Sequence, residues 1–227
     1  MPRTTLRVNV PQPGILLAVP PLARYLTFSL KPGVNPREPL RGLRDVADGE
    51  RVVAGIGESL ALALGRNIEG LRAFPSHTGA GFEVPSTPSA LWTWARGEDR
   101  GEFFHRSRLI ERTLAPAFRL EQVLDAFRHD RGRDLTGYED GTENPKGAKA
   151  REAAIARRPA GLEGSSFAAV QQWVHQFERF EAMTPRQRDD AIGRRRSTNE
   201  EIAEAPPSAH WCPGTRRGRL ELGALGL

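Results

Sequence analysis

Between residues 23 and 127 the chain alternates strand-type and helix-type hydrophobic periods, and that order constrains its fold more than any other feature. Ala23 to Leu30 alternates apolar residues (Tyr25, Leu26, Phe28, Leu30) with polar ones, a strand pattern. Asn35-Pro36 followed by Glu38 reads as an N-cap, a proline at the first helical position and an early acid. Leu40, Leu43 and Val46 then fall at helical spacing, and Asp48-Gly49 ends the helix. Arg51 to Ile56 reads as a buried strand and Ser59 to Leu64 as a short helix. Ala90 to Ala95 is a strand with Trp92 and Trp94 on one face. Glu102 to Leu114 carries Phe103, Ile110 and Leu114 on one helical stripe and is stopped by Pro116, whereas Phe118 to Phe127 fits either period. The resulting order, β, α, β, short α, β, α and one ambiguous element, is that of an α+β ferredoxin-like unit, an antiparallel sheet with helices packed on one face.

The stretch GYEDGTENP at 137 to 145 interrupts this grammar. Gly137 and Gly141 permit backbone angles closed to other residues, and Asn144-Pro145 imposes an extended exit, so the segment reads as a rigid connector. On turn grammar alone, Asp140 and Asn144 make side-chain-to-backbone turn bonds; a rigid loop also holds a carboxylate in one place for chemistry. A polar segment follows to about residue 164. Phe167 to Phe177 (FAAVQQWVHQF) reads as a strand with Phe167, Ala169, Trp173 and His175 on one face. Thr184-Pro185 with Gln187 forms a capping box that opens a helix through Ile192, closed by Gly193. This restart points to a second unit like the first. The expected organisation is an N-terminal ferredoxin-like domain over 1–134, a connector over 135–164 and a second, incomplete ferredoxin-like domain over 165–227.

Composition and spacing exclude several function classes. The 227 residues carry a net charge of +5 and a pI near 10.1, but the arginines are mixed with acids, which describes a solvated surface and not a nucleic-acid interface. Cys212 is the only cysteine, so there is no internal disulfide and no zinc site built on paired thiolates. Ile15 to Val19 is too short to span a bilayer and nothing resembles a secretory leader, so a cytoplasmic protein without membrane contact is expected. GIGESL from Gly55 begins like a dinucleotide fingerprint but has Leu60 in place of the third glycine. Calcium binding by DGTEN fails because Pro145 stands where the sharp-turn glycine is needed.

Five motifs in order, PQPGI at 11–15, GxxDG at 137–141 continued by TENP, QQWVHQF at 171–177, IGR at 192–194 and PPSAH at 206–210, resemble the dye-decolorising haem peroxidases, specifically the bacterial class B group. The resemblance implies two tandem ferredoxin-like domains with haem b in the second, and reduction of hydrogen peroxide with oxidation of dyes and other aromatic donors. Asp140 matches the distal acid and His210 the axial ligand of the haem iron. Arg194 is placed as partner of a haem propionate, with a surface arginine beside Arg195 and Arg196 as the equal alternative. The residue types suit this chemistry: a carboxylate moves the peroxide proton between its oxygens, a neutral imidazole ligates iron, and a guanidinium pairs with carboxylates in a planar fork. Tyr138 and the tryptophans are electron relays or core. The resemblance further implies a homo-oligomer and, for some members, an enclosing protein nanocompartment.

The match ends at His210. The tail WCPGTRRGRLELGALGL supplies neither the expected strand nor the distal arginine of the resembled family, and a frameshift after residue 210 would account for it. The expectation is a peroxidase with an incomplete second sheet and impaired activity, since a donor at the developing negative charge is worth ~3 kcal/mol. The alternative is a non-enzymatic haem or iron-binding protein, or an inactive fragment.

Overall fold

The computed structural model describes residues 10–79, 82–157, 162–172 and 174–204. The chain forms two compact units, Met1–Phe127 with Pro145–Ala168, and Arg128–Asn144 with Ala169–Leu227. In the first unit the elements run β1 (Leu22–Leu30), α1 (Arg37–Val46), β2 (Val52–Ile56), α2 (Glu58–Ala63), a small hairpin of β3 (His77–Gly79) and β4 (Phe82–Val84), β5 (Leu91–Gly97), α3 (Arg100–Leu114), β6 (Phe118–Phe127) and α4 (Ala148–Ala154). The main sheet has the order β2-β5-β1-β6 with every neighbouring pair antiparallel. β1 and β2 therefore run parallel with β5 between them, the split βαβ arrangement of a ferredoxin-like fold.

Period-two alternation gives the sheet two apolar faces. On one, Leu26 and Phe28 of β1, Val52 of β2 and Leu91 of β5 meet Leu43 of α1 and Ile110 and Leu114 of α3 in the main core. On the other, Ala23, Tyr25, Val53 and Trp94 form a second cluster flanked by Ile15, Trp92, Leu124 and Ala126. Tyr25 stacks on Trp92 and Trp94 with ring centroids 5.8 and 6.1 Å apart, and the Arg96 guanidinium lies 4.5 Å from the Trp94 ring centroid.

The ambiguous segment 118–127 is a strand because β1 offers it a free edge. It pairs with β1 along its length, with one register shift between Thr27 and Phe28. Arg24 and Asp125 face each other in that register, and Arg24 Nε and Nη2 donate to both carboxylate oxygens at 2.6 and 2.7 Å. Helix α3 starts two residues before the sequence reading because the Asp99 side chain accepts the Glu102 N–H at 2.7 Å. The β3–β4 hairpin is absent from the sequence reading, being two three-residue strands in a proline-punctuated stretch with no period long enough to register. The lead-in holds a 3-10 turn at Pro13–Ile15. Beside it the Gln12 side chain bonds both backbone groups of Ala54, donating from Nε2 to the carbonyl at 2.8 Å and accepting the N–H at Oε1 at 2.9 Å.

The described part of the second unit contains α5 (Phe177–Glu181) and α6 (Pro185–Ile192), the latter with the expected Thr184/Gln187 capping box and a left-handed Gly193 at φ 84°. Among the described residues of 167–177 the expected strand is not formed, only an isolated bridge at Ala169. Phe177 opens α5, and Val174 is 88% exposed. Alternation specifies the faces of a strand but supplies no partner, and no strand of either sheet lies in the described residues of this unit. Among the described residues no helix is long and apolar enough to cross a membrane.

Because Ile110 is fully buried while its neighbour Leu109 is 47% exposed, Ile110→Ala should cost about 2–5 kcal/mol in chemical denaturation. Leu109→Ala should stay within about 0.5 kcal/mol. Equal losses would place the core elsewhere.

Candidate active site

The GYEDGTENP loop folds back on the residues before it. Gly137 and Gly141 adopt φ of 89° and 69°, where a side chain is strained, and a Cβ on Gly137 would in addition displace the Arg196 guanidinium that lies over it. Backbone bonds stitch the turn: Asp134 N–H to the Tyr138 carbonyl at 3.0 Å, Gly137 N–H to Asp134 at 3.0 Å, Asp140 N–H to Gly132 at 3.2 Å, and Asn144 N–H to Gly141 at 3.0 Å.

Three acids lie in the loop, and the structure treats them differently. Glu139 accepts from Arg133 Nη2 at 3.1 Å and from Asn199 Nδ2 at 2.9 Å. Arg133 also donates Nη1 to the Gly137 carbonyl at 2.8 Å, so one guanidinium clamps both backbone and acid. Glu143 accepts from Arg194 Nη2 at 2.6 Å; Arg194 also reaches Glu201 at 3.8 Å and the Asn199 carbonyl at 2.9 Å. Asp140, exposed between them, accepts only the N–H of Gly141 at Oδ1, 2.7 Å away, and has no cation beside it among the described residues. The turn bond read from sequence is thus present, and it leaves Oδ2 available.

Of the residues singled out in the sequence, Asp140 and Arg194 are brought to one cluster through Glu143. The Arg194 side chain is only 12% exposed, unlike the exposed Arg195 and Arg196. His210 lies outside the described residues, as does Cys212. Arg133 and Asn199 escaped the sequence reading, because their partners sit 6 and 60 positions away and no local pattern marks them.

Tyr138 is the buried side chain of the loop, 4% exposed. Its hydroxyl donates to Asp189 Oδ1 at 2.6 Å, and its ring meets Phe180 edge-on with centroids 6.2 Å apart. Burial and, after it, the bond to Asp189 hold the phenol well above the ordinary tyrosine range. Beside the loop is an open hollow of about 480 Å³ lined by His129, Asp130, Arg133, Gly137, Arg196 and Ser197, within the size range of small-molecule sites.

A family model described as Dyp-type peroxidase, C-terminal, matches residues 131–217. A dye-decolorizing peroxidase of Rhodococcus erythropolis is 27% identical over 220 residues, which is 88% of this chain and 63% of that protein. One from Mycobacterium tuberculosis is 29% identical over 174 residues, 74% of this chain and 52% of that protein. The chain thus spans less than two thirds of the length of these curated relatives. Among solved structures, a dyp-type peroxidase protein from Shewanella oneidensis superimposes with a TM-score of 0.78 at 24% identity, covering 89% of this chain and 71% of the other. A Rhodococcus jostii DypB variant solved in complex with heme gives 0.77 at 22% identity, covering 88% and 71%.

Both tyrosines of the chain are shifted upward, Tyr25 to about 12 through burial. A folded-state pKa above the unfolded value of about 10 means that the native state holds its protons more tightly. The stability this contributes is complete below about pH 10 and is lost as pH rises through the folded values. The unfolding free energy should therefore fall from about pH 10 upward, and tyrosinate absorbance should rise later in native than in denatured protein. Coincident titration curves would mean that the Tyr138–Asp189 bond is not made in solution.

Proposed function

We propose that the chain, which is similar to the dye-decolorising, or Dyp-type, peroxidases, is a haem-dependent peroxidase, reducing hydrogen peroxide and oxidising dyes or other aromatic donors, with Asp140 as its proton-transfer residue. The observation that supports this most directly is the division of charge in the motif loop. Glu139 and Glu143 are each paired with a guanidinium, and Asp140 alone of the three acids has no cationic partner among the described residues.

The donor set suits a haem on its acid side. An unpaired carboxylate on a braced turn is what proton transfer to and from peroxide needs, and a cluster of arginines next to it suits propionates. Haem b, when bound, supplies the iron and the electrons that cleave the peroxide O–O bond. His210 would provide a nitrogen ligand to the iron, and Arg194 would pair with a propionate. Asp140 Oδ2 accepts the proton from one peroxide oxygen and returns it to the other, which leaves as water; Oδ1 stays fixed by the Gly141 N–H. The same reading takes the protein as a cytoplasmic homo-oligomer; an enclosing nanocompartment shell belongs to some members of the resembled family.

The test is reconstitution with haem, followed by the Soret band and the peroxide reaction. Asp140→Asn should keep the band and slow the peroxide reaction by about 10²- to 10⁴-fold; unaltered kinetics would remove Asp140 from proton transfer. His210→Ala should change the axial-ligand spectrum, and an unchanged spectrum would mean that another residue ligates the iron. Failure of the full chain to bind haem would sink the peroxidase reading.

A further inference from the structure

We propose that Tyr138 and Asp189 are positioning residues for Asp140: their hydrogen bond ties the motif turn to α6 and thereby fixes where the proton-transferring carboxylate stands. This rests on the peroxidase reading above and deepens it.

The argument is one of anchorage. Between Gly137 and Gly141 the only side chain turned into the protein is that of Tyr138, two positions from Asp140; Glu139 and Asp140 are exposed. The rest of the turn is held by backbone bonds to residues 132–134, themselves part of the same irregular segment, in which Asp130, Arg131 and Gly132 all have positive φ, and by side-chain bonds of Arg133, Asn199 and Arg194 to its exposed acids Glu139 and Glu143, none of these partners lying in a helix or strand. Such a segment secures its own shape but needs a regular element to hold its place. Helix α6 is that element. It is capped at both ends, and Arg188 Nε donates to the Phe180 carbonyl of α5 at 3.0 Å. Asp189, inside α6, accepts the Tyr138 hydroxyl at 2.6 Å and the Arg196 N–H at 3.1 Å on the same oxygen. The Arg196 side chain in turn covers Gly137 at the start of the turn. One carboxylate thus holds the turn by its buried ring and by the residue that closes over its first glycine. A hydrogen bond to a charged acceptor is among the stronger ones available, and burial together with Asp189 holds the Tyr138 phenol above the ordinary tyrosine range, so that it is a donor near neutral pH.

Displacement of a catalytic group by about 1 Å costs on the order of 100-fold in rate, so the tether is open to measurement. In the protein without haem, Tyr138→Phe, which keeps the ring and removes the donor, should raise amide hydrogen exchange across residues 137–144 by roughly tenfold or more while leaving α3 unchanged. Unchanged exchange in that segment would overturn the proposal. In the haem-loaded protein, Tyr138→Phe should slow the peroxide reaction on the order of 10- to 100-fold with the Soret band retained, and should add nothing to Asp140→Asn. Multiplying effects would show that Tyr138 acts by another route and would equally overturn it. Asp189→Asn retains an acceptor oxygen and should recover most of what Asp189→Ala loses; equal loss in the two variants would count against the hydrogen bond. Should Asp140→Asn leave the peroxide reaction untouched, it is the peroxidase role of Asp140 that fails, and the exchange experiment decides the tether by itself.

Discussion

Strand β1 must be satisfied on four sides at once, and the first unit is organised by that demand. Its two edges are bonded to β5 and β6, and its two faces are covered by different clusters, Leu26 and Phe28 toward the helices and Ala23 and Tyr25 toward the tryptophans. A strand bonded and buried in this way tolerates no slip in register, because a shift of one residue would exchange the two faces. The Arg24–Asp125 pair reinforces the same register by matching charge across the strands. The positions of β5, β6 and the two long helices follow from where β1 must lie.

What the sequence discloses follows from this. Elements whose pattern repeats along their own length were legible: β1, α1, β2, β5 and α3 lie within about two residues of their expected places, as do the capping box and glycine stop of α6. Segment 118–127 was ambiguous because its period is mixed, and the free edge of β1 decides it. Segment 167–177 was misread for the complementary reason. Its alternation is genuine, but a strand consists of successive bonds to a neighbour, and among the described residues of that region only Ala169 makes a bridge. The paired tryptophans face one way, as their spacing required, although nothing in their spacing announced Tyr25 between them.

The candidate site was legible in kind but not in wiring. Two glycines and a proline around an acid identified a rigid turn, and the turn is there. That Asp140 is the unpaired acid of three depends on Arg133, Asn199 and Arg194, whose side chains arrive from either side of the loop in sequence. Charge partition of this sort is a property of the folded cluster, since the three acids are alike in the linear motif. The family resemblance pointed to Asp140, and the structure distinguishes it from Glu139 and Glu143 by the lack of a cationic partner among the described residues.

The contact made by Gln12 has a consequence for the molecule's surroundings. β2 is an outer strand, and an outer strand offers unpaired backbone groups to any extended segment that approaches it. At Ala54 both groups are already taken by the amide of Gln12, which does with one side chain what a further strand would do with its main chain. The opening segment of the fold therefore works as a stopper, barring this part of the sheet from recruiting another chain and continuing into an aggregate.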